Sequence, residues 1–382
     1  MIKLLTIIGA RPQIIKAAAL SRAIAEYFSD SITEDILHTG QHYDENMSNV
    51  FFTELGIPKP KYNLNVGSGS HGVQTAKMIE GIESVLKSEH YDGMVVYGDT
   101  NSTLAGAIAA SKIHVPIFHI EAGLRSFNMA MPEEVNRIVC DQLSSILFAP
   151  TEVAIDNLIN EGFDKSKATF KNGKNREIYN SGDVMYDNSM YFAKIADEKS
   201  TVLSENSLTK DKFILATIHR DNNTDIPERL NNIFKSILDI ANKNKVSVVL
   251  PLHPRTKKLL SSNLIDELYS KVTQSEWIKI IEPVSFLDMI CLEKNSTLVM
   301  TDSGGVQKEA FFFEKPTIIF RPETEWVEII ENNAGILVDA DYNKTKKAYD
   351  ELANKRVVFP KLFGDGLAAK YIIERIIAYI SV

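Results

Sequence analysis

Cysteine is scarce in this sequence, and long apolar segments are absent. Only Cys140 and Cys291 occur among its 382 residues, far apart and within apolar helical patterns. Two such residues are expected to be buried thiols rather than a disulfide or a metal pair, which indicates a reducing compartment and favours the cytoplasm. The apolar run at the N-terminus is shorter than a spanning helix and lacks a signal-peptide cleavage site, so we expect no membrane association.

Excess positive charge is absent too. The formal net charge is −8 and the sequence pI is about 5.6, whereas a nucleic-acid-binding domain usually carries a basic stripe or a high pI. We therefore expect no nucleic-acid partner, and any phosphate group must be bound locally. With 44% hydrophobic residues, a chain of 382 residues holds more than one core usually does, which predicts two domains.

Short apolar runs alternate with longer amphipathic segments in both halves of the chain. This rhythm is typical of βα units that stack into parallel sheets. A polar segment at 164–183 separates the halves. We therefore predict an N-terminal domain at 1–178, a C-terminal domain at 179–365, and a helix at 366–382 that crosses back to the first. The predicted strands are KLLTII, EDILHT, GMVVYG, VPIFHI and ILFAP in the first half, and FILATI, VSVVLPL, IKII, TLVMT and PTIIF in the second.

Charged residues and glycines follow the ends of these predicted strands. Because an open parallel sheet binds ligands at the carboxyl ends of its strands, residues from separate strands would line one cleft. One such residue alone is explained equally well as a helix cap or a surface charge, but a set from six strand ends is not. The set consists of Arg11 and Lys16, Asp99, Glu121 and Arg125, His219 and Arg220, His253, and Asp302, Ser303, Gly304 and Gly305.

The segment TDSGGVQKEA, residues 301–310, has the features of a phosphate-binding loop. It places Ser303 and two glycines between a strand and a helix, so that backbone amides and the positive end of the helix can hold a phosphate. Glu309 follows in the helix and could accept hydrogen bonds from sugar hydroxyls. The Gly-Lys-Ser/Thr ending of a Walker loop is missing. A second glycine-rich segment, GSGSHG at 67–72, follows only a weak strand candidate, and we interpret it as a loop rather than a NAD site.

Two adjacent carboxylates, Glu133 and Glu134, follow Pro132 at the start of a predicted helix. The helix dipole favours acids at this position, so capping explains one of them. Capping does not explain why Asp99 and Glu121 should face the same cleft. Crowded carboxylates push their pKa values apart, which lets one act as an acid while another acts as a base. Such a set is suited to moving protons on carbon.

Eight segments together carry a resemblance to a known family: GARPQIIKAA, TGQHYDENM, YGDTNSTLAGA, HIEAGLRSF, MPEEVNR, IHR, LHPR and TDSGGVQKEA. Over essentially its whole length the chain resembles the non-hydrolysing UDP-N-acetylglucosamine 2-epimerases. This resemblance implies the GT-B fold, in which two Rossmann-like doubly wound α/β domains face each other across a cleft and the second holds UDP. It implies C2 epimerisation by anti elimination and re-addition of UDP, with no redox cofactor or metal. It further implies a homodimer that serves lipopolysaccharide or capsule biosynthesis.

Residue by residue, the resemblance assigns roles within the cleft. Asp99, Glu121 and Glu133 match the family's catalytic carboxylates, without indicating which one removes the C2 proton. His219 matches the histidine near the departing diphosphate. Phe286 lies in the segment that contacts uracil. The full set of candidates for binding the UDP-sugar is Arg11, Lys16, Arg125, Arg220, His253, Phe286, Ser303, Gly304, Gly305, Glu309 and Arg321.

The sequence departs from the common family pattern in two motifs. Many members have Arg-Pro-Glu-Ala and Glu-Arg-Pro-Glu, whereas this chain has Arg-Pro-Gln-Ile, with Gln13, and Glu-Trp-Val-Glu, with Trp326. It thereby resembles the branch acting on UDP-2,3-diacetamido-2,3-dideoxy-D-glucuronate, and the C3 and C6 substituents of the sugar stay open. Tyr43 and Asp221 replace arginines of the regulated members, so we expect no activation by substrate. The hydrolysing relatives begin with a Gly-Ser-Arg-Ala-Glu-type motif, which differs from the motif found here.

Two other classes of protein would share these features in part. A GT-B glycosyltransferase has the same fold and the same kind of phosphate loop, but it needs an acceptor site and usually one base. A nucleotide-sugar-binding protein without catalytic activity would leave the carboxylates unexplained. Three carboxylates and a histidine directed at one sugar therefore favour an epimerase.

Overall fold

The computed structural model describes residues 1–40, 56–164, 170, 173–252 and 254–381. The chain forms two compact units, which consist of residues 1–188 with 361–382 and of residues 189–360. Each is built on one parallel β-sheet. Within the described part of the chain, no helix is both long enough and apolar enough to cross a membrane. Tyr43, on which the expectation about substrate activation partly depends, lies outside the described residues.

The N-terminal unit contains a seven-stranded sheet in the order β3-β2-β1-β4-β5-β6-β7. All of its pairings are parallel. The winding reverses between β1 and β4, and ligands bind such sheets at the carboxyl ends of the strands next to this switch point. The strands are β1 (Ile2–Ile8), β2 (Ile32–His38), β3 (Tyr62–Asn63), β4 (Gly93–Tyr97), β5 (Ile117–Ile120), β6 (Ile146–Ala149) and β7 (Glu177–Asn180).

The C-terminal unit repeats this winding in a six-stranded sheet. Its strands are β8 (Phe213–Thr217), β9 (Ser247–Pro251), β10 (Ile278–Ile281), β11 (Leu298–Thr301), β12 (Thr317–Ile319) and β13 (Gly335–Leu337). They are ordered β10-β9-β8-β11-β12-β13 and are all parallel, with the switch point between β8 and β11. Both units therefore have the Rossmann-like doubly wound order that the sequence predicts.

Helices connect the strands and supply one apolar face each to the sheets. In the helix at Pro227–Asn244, for example, Leu230, Ile233 and Ile237 recur at helical spacing, are at most 1% exposed, and share a core with Ile214 of β8. The helices are α1 (Arg11–Tyr27), α2 (His71–Ser88), α3 (Asn101–Ile113), α4 (Pro132–Leu143), α5 (Glu152–Asn160), α6 (Val184–Lys199), α7 (Val202–Glu205), α8 (Asp221–Thr224), α9 (Pro227–Asn244), α10 (Pro254–Asn263), α11 (Asp266–Thr273), α12 (Phe286–Asn295), α13 (Gly304–Phe312), α14 (Val327–Glu331), α15 (Tyr342–Asn354) and α16 (Ala368–Ser381).

The first turn of α6 and the final helix α16 belong to the N-terminal unit. The carboxylate of Asp187 accepts hydrogen bonds from the backbone N–H groups of Ala368 (3.2 Å) and Ala369 (2.8 Å), which satisfies the start of α16. Asn188 donates to the carbonyl of Ile15 at 2.6 Å. Because of these contacts, the unit extends to residue 188, past the predicted boundary at 178, and its returning segment starts at 361 rather than 366.

All ten predicted strands are present, whereas β7 and β13 were not predicted. Both lie at an edge of a sheet, as β3 and β10 do at the opposite edges. β7 reads EIYN and is only partly buried, so it lacks the apolar run that identifies a central parallel strand. The weak candidate YNLNV does contain the short strand β3.

Candidate active site

The switch point of the N-terminal unit carries a pocket of about 340 Å³. Asp99 follows β4 and Glu133 lies in the first turn of α4, and both line this pocket together with the exposed Arg11 at the start of α1. Its polar lining also includes His71 of α2, Thr100 and Asn101 at the start of α3, and Asn136 of α4. Two of the three predicted catalytic carboxylates thus share one pocket.

Asp99 is held in place from both its side chain and its backbone. Arg137 of α4 forms an ion pair with the carboxylate, and Asn136 donates to the backbone carbonyl at 2.8 Å. Gly98 precedes it with φ +59°, a left-handed conformation that glycine adopts without steric cost. A Cβ on Gly98 would lie 3.1 Å from both Glu121 Oε2 and Lys16 Nζ. The turn after β4 therefore needs glycine for its conformation and for this close approach.

Glu121 lies directly after β5 in a conformation that is unusual for a side chain of its kind. Its φ is +69°, which lies in a region that residues other than glycine rarely adopt. Residues in such conformations are found more often at functional sites than elsewhere. The carbonyl of Phe148 in β6 accepts both the Glu121 N–H (3.1 Å) and the Ala122 N–H (3.0 Å), which holds the turn. The carboxylate is only 9% exposed and is ion-paired with Lys16 of α1. The third predicted carboxylate is thus paired with a residue predicted to bind phosphate.

The adjacent pair Glu133 and Glu134 divides between two roles. Glu134 is buried and accepts hydrogen bonds from the backbone N–H groups of Ser126 (3.0 Å) and Phe127 (2.8 Å) and from Arg137 (2.8 Å). Burial opposes the charge, but these donors outweigh it and lower the pKa of Glu134. Glu133 is exposed and lines the pocket. One acid therefore fixes the loop before α4, and the other faces solvent at the pocket.

Arg125 differs from the prediction that it contacts the ligand. Its side chain is 1% exposed. The guanidinium pairs with Glu161 at 2.6 and 2.7 Å and with Asp141 at 2.8 Å, and it also donates to the carbonyl of Leu124. Because Nε, Nη1 and Nη2 are all engaged inside the unit, we assign Arg125 to holding the backbone after Glu121 rather than to binding the substrate.

The switch point of the C-terminal unit is organised around Asp302, which follows β11 and is fully buried. Its carboxylate accepts hydrogen bonds from the backbone N–H of His219 (3.1 Å), the N–H of Arg220 (3.1 Å) and the amide of Asn223 (3.1 Å). Burial works against the ionised form, but these donors and the imidazole of His219 lower the pKa of Asp302. The ends of β8 and β11 are thereby tied together.

His219 is oriented by this carboxylate. Its Nδ1 lies 3.0 Å from Asp302 Oδ1, and its side chain is 56% exposed. Since the ionised carboxylate can only accept, Nδ1 carries a proton and Nε2 is directed away from Asp302. A histidine held in this way can give or take a proton at Nε2. Arg220 contributes its backbone N–H to the same carboxylate and caps α8.

Helix α13 begins in the predicted phosphate-binding loop. Ser303 is its N-cap, and its hydroxyl accepts the N–H of Val306. Arg321 is 4% exposed; its Nη2 pairs with Glu325 Oε2 at 3.0 Å, whereas Nη1 makes no hydrogen bond to any described residue. A Cβ on Gly304 would collide with the Glu325 carboxylate and lie 3.3 Å from Nη1 of Arg321. A buried cation and the start of a helix thus converge on one glycine, as in an anion site.

The remaining predicted binding residues lie around the same loop or further from it. A Cβ on Gly305 would lie 3.9 Å from Ser303 Oγ and 4.0 Å from Glu309 Oε2, so these two side chains flank that glycine. Phe286 starts α12 and is buried, with its ring centroid 5.3 Å from that of Phe192 in an edge-on arrangement. His253 lies outside the described residues. The roles of these residues in binding UDP stay predictions.

Comparison with known proteins assigns this architecture to a family. The family model for UDP-N-acetylglucosamine 2-epimerase matches residues 27–377, most of the chain. The chain belongs to this family. The expectation of an epimerase, an isomerase rather than a glycosyltransferase with the same fold, is confirmed.

Individual members of the epimerase family resemble the chain over nearly its full length. A UDP-2,3-diacetamido-2,3-dideoxy-D-glucuronate 2-epimerase from Pseudomonas aeruginosa is 50% identical, over 97% of this chain and 98% of the relative. A UDP-N-acetylglucosamine 2-epimerase from Methanocaldococcus jannaschii is 44% identical, over 99% of both chains. The crystal structure of the M. jannaschii enzyme in complex with UDP-GlcNAc and UDP matches with a TM-score of 0.84 at 43% identity, covering 99% of this chain and 100% of that one. The predicted branch and the fold of two Rossmann-like domains are confirmed.

Gln13 of the epimerase shows why this chain can depart from the Arg-Pro-Glu-Ala pattern. Its side-chain carbonyl accepts the N–H groups of Gly9 (2.9 Å) and Ala10 (3.2 Å), while its amide donates to the carbonyl of Tyr97 (3.0 Å) and to Thr103 (2.9 Å). A glutamate could accept the first two bonds but could not donate the others when ionised. The amide therefore joins the ends of β1 and β4 at the switch point.

Sequence reasoning about this epimerase missed the residues that support the carboxylates. Arg137 and the buried pair His119 and Asp141 were not singled out, and Asp302 was noted only as a residue that follows the predicted strand TLVMT. The available signal was weak: His119 is the one polar residue of the apolar run VPIFHI, and Asp141 interrupts the predicted helix after the acids. Their partners lie far away in the sequence, so only the folded sheet brings them together.

Proposed function

We propose that the epimerase inverts C2 of a UDP-2-acetamido sugar by eliminating and re-adding UDP. One carboxylate removes the proton from C2 while the bond between C1 and the diphosphate oxygen breaks, which leaves a 2-acetamidoglucal and UDP. A second acid then returns a proton to the opposite face of C2 as UDP adds back to C1. The observation that carries the proposal is the placement of Asp99 and Glu133 in one pocket, with Glu121 beside Gly98 at the same switch point. Carboxylates in different surroundings can divide acid and base roles.

We infer that UDP is held at the start of α13. Gly304 and Gly305 would offer backbone N–H groups to the diphosphate, Ser303 its hydroxyl, and Arg321 its buried guanidinium. Glu309 would accept from the ribose hydroxyls. His219 would stabilise the charge that develops on the departing diphosphate, because Asp302 fixes its ring with Nε2 outward. Arg11 and Lys16 are likewise proposed to bind phosphate oxygens of the UDP-sugar.

The preferred sugar is, in our proposal, UDP-2,3-diacetamido-2,3-dideoxy-D-glucuronate. The relative named for that substrate is 50% identical to this chain, and the M. jannaschii relative named for UDP-N-acetylglucosamine is 44% identical. Gln13 and Trp326 also depart from the common pattern in the manner expected of this branch. Comparing kcat/KM for the two UDP-sugars tests the choice, and a preference for UDP-N-acetylglucosamine would reverse it.

Incubation in deuterated water tests the reaction itself. Each UDP-sugar is mixed with the protein alone, and the C2 position is followed by NMR. Epimerisation by elimination incorporates solvent deuterium at C2 without any acceptor. A glycosyltransferase would show no such exchange, and a lack of deuterium at C2 with both sugars would overturn the proposal.

The cellular setting follows from the proposed substrate class. We propose a cytoplasmic homodimer that supplies an epimerised sugar for surface polysaccharides such as lipopolysaccharide or capsule. The two cysteines are buried free thiols, which is consistent with a reducing compartment. Light scattering of the purified protein tests the oligomeric state, and the mass of a single chain at working concentration would contradict the dimer.

A further inference from the structure

A fully buried histidine and aspartate lie beneath the turns that carry Asp99 and Glu121. His119 of β5 and Asp141 of α4 are both 0% exposed, and Nδ1 of the imidazole lies 2.7 Å from Oδ1 of the carboxylate. Nε2 of His119 lies 2.9 Å from the backbone carbonyl of Gly98. The proposed chemistry uses neither side chain, although a buried ionic pair of this kind is costly to maintain.

The contacts fix the charge of His119. The carbonyl of Gly98 can only accept, so Nε2 must carry a proton. Asp141 is ionised, because its other oxygen pairs with Arg125 Nη1 at 2.8 Å and accepts the N–H of Gly123 at 3.2 Å. Nδ1 must therefore carry a proton as well, and His119 is an imidazolium. Burial would lower the pKa of His119, but the Cys140 sulfur and the Asp141 carboxylate raise it well above its usual value.

This ionic pair connects the two turns that position the carboxylates. Through His119 it holds the carbonyl of Gly98, the residue immediately before Asp99. Through Asp141 it holds the N–H of Gly123, two residues after Glu121. Gly98 and Glu121 both have positive φ, so the chain leaves the regular strand conformation at each turn. The pair therefore adds a side-chain link between the turns after β4 and β5 to the backbone hydrogen bond from the Gly98 N–H to the Ile120 carbonyl (3.0 Å).

We propose that His119 is a positioning residue of the epimerase, holding the Gly98 carbonyl so that the carboxylates of Asp99 and Glu121 stay at a fixed separation. The inference rests on the proposed function, because it assumes that these two carboxylates transfer protons at C2. Catalytic groups placed only 1 Å from their productive positions can lose about 100-fold in rate. Of the two hydrogen bonds that His119 makes, the one from Nε2 to the Gly98 carbonyl is then the one that affects turnover.

Two substitutions at this position separate the two bonds of the imidazole. In His119→Gln, the side-chain amide reaches the position of Nε2 and can still donate to the Gly98 carbonyl. In His119→Asn, the amide nitrogen reaches only the position of Nδ1 and can donate to Asp141 but not to Gly98. Both replace the imidazolium by a neutral amide, so each is the matched control for the other.

We expect His119→Asn to lower kcat by about 10- to 100-fold while KM and the Kd for UDP stay within about 3-fold, because only the geometry of the acids is disturbed. We expect His119→Gln to keep kcat within about 3-fold of the wild type, although its melting temperature falls with the loss of the ion pair. If both variants lose kcat equally, or if kcat follows the melting temperature in both, His119 is a structural residue and the proposal is overturned.

The protonation state is tested independently of activity. In a sample labelled with ¹⁵N histidine, both ring nitrogens of His119 should have the shifts of a protonated imidazolium from pH 6 to 9, with or without UDP. A neutral ring in that range would contradict the charge assignment on which the positioning argument rests. Failure of the proposed function is distinguishable, because wild-type protein would then show no deuterium exchange at C2, whereas failure of the positioning role leaves wild-type exchange intact.

Discussion

The two α/β units of this epimerase share one winding but hold their functional groups by different means. At the switch point of the N-terminal unit, side-chain carboxylates are held by cations from distant helices, Arg137 for Asp99 and Lys16 for Glu121. At the switch point of the C-terminal unit, the start of α13 and Arg321 form the candidate anion site. Partly buried carboxylates need partners, whereas backbone N–H groups at a helix start are already directed at their ligand.

This contrast predicts that substitutions in the two units affect different measured quantities. Changes to the carboxylates of the N-terminal unit should alter turnover and leave nucleotide affinity almost unchanged. Changes around α13 should alter nucleotide affinity first. A carboxylate variant with weakened UDP binding, or an α13 variant with reduced turnover at unchanged UDP affinity, would show that catalysis and nucleotide binding are not divided between the units in this way.

The largest effect is expected for Asp99→Asn and Glu121→Gln. Each removes a group proposed to transfer a proton at C2, and such groups contribute roughly 10²- to 10⁴-fold to rate. Deuterium exchange at C2 should therefore fall by about 10³-fold, while UDP titration by calorimetry gives a Kd within about 3-fold of the wild type. Near-wild-type turnover in either variant would mean that the acid is misassigned. A large loss of UDP affinity would instead show that these carboxylates also bind the nucleotide, contrary to the proposed difference between the units.

Arg321→Met tests the C-terminal unit and should have the next largest effect. Hydrogen bonds to a charged group contribute about 1.5–3 kcal/mol, so the Kd for UDP should rise by about 10- to 100-fold. Lys315→Met is the control, because Lys315 pairs with Asp211 at 2.9 Å in the same unit and is not among the candidate site residues. Equal UDP affinity in Arg321→Met and wild type would contradict an anion site at the start of α13.

The adjacent acids of α4 give a smaller and internally controlled test. Glu134→Gln should lower the free energy of unfolding by about 1–3 kcal/mol, since it weakens buried charge-assisted hydrogen bonds from two backbone N–H groups and Arg137. Glu133→Gln, at an exposed position, should change stability by less than about 0.5 kcal/mol but lower turnover. Urea unfolding and C2 exchange on both variants check the pair, and similar stability losses would mean that the two roles are not distinct.

The pH dependence of the same variants sharpens this test. The folded pKa of Glu134 is lowered, so the carboxylate contributes stability above its unfolded pKa, and this contribution is lost as the pH falls through the folded pKa. The stability difference between wild type and Glu134→Gln should therefore be largest near neutral pH and should shrink progressively below about pH 4.5. A difference that is constant from pH 7 to pH 3 would contradict this linkage.

Local sequence signals explain which strands and site residues could be predicted. Central strands such as β4 and β11 are buried on both faces and form apolar runs, so they and the residues that follow them were identified. The phosphate loop is local, because Ser303, Gly304 and Glu309 lie within seven consecutive residues. Edge strand β7, EIYN, lacks this apolar signal and was missed, whereas β13 is apolar but only three residues long.

The supporting partners of the carboxylates could not be predicted in the same way. Arg137 is 38 residues from Asp99, and Lys16 is 105 residues from Glu121. Such pairs depend on which helices the sheet order brings together. Arg125 shows the opposite error: it follows a strand end, as a ligand-binding residue would, yet its side chain is enclosed by Asp141 and Glu161.

The smallest expected effect is in the opposite direction and concerns Glu325, whose carboxylate pairs with Arg321 and lies against Gly304. In this position it competes with an incoming diphosphate for the same guanidinium. Glu325→Gln should therefore tighten UDP binding by about 2- to 5-fold, a net gain of under about 1 kcal/mol. Calorimetry measures the change, with Glu323→Gln as a control at an exposed position of the same loop. Weaker UDP binding in Glu325→Gln would show that Glu325 helps to hold the nucleotide rather than competing with it for Arg321.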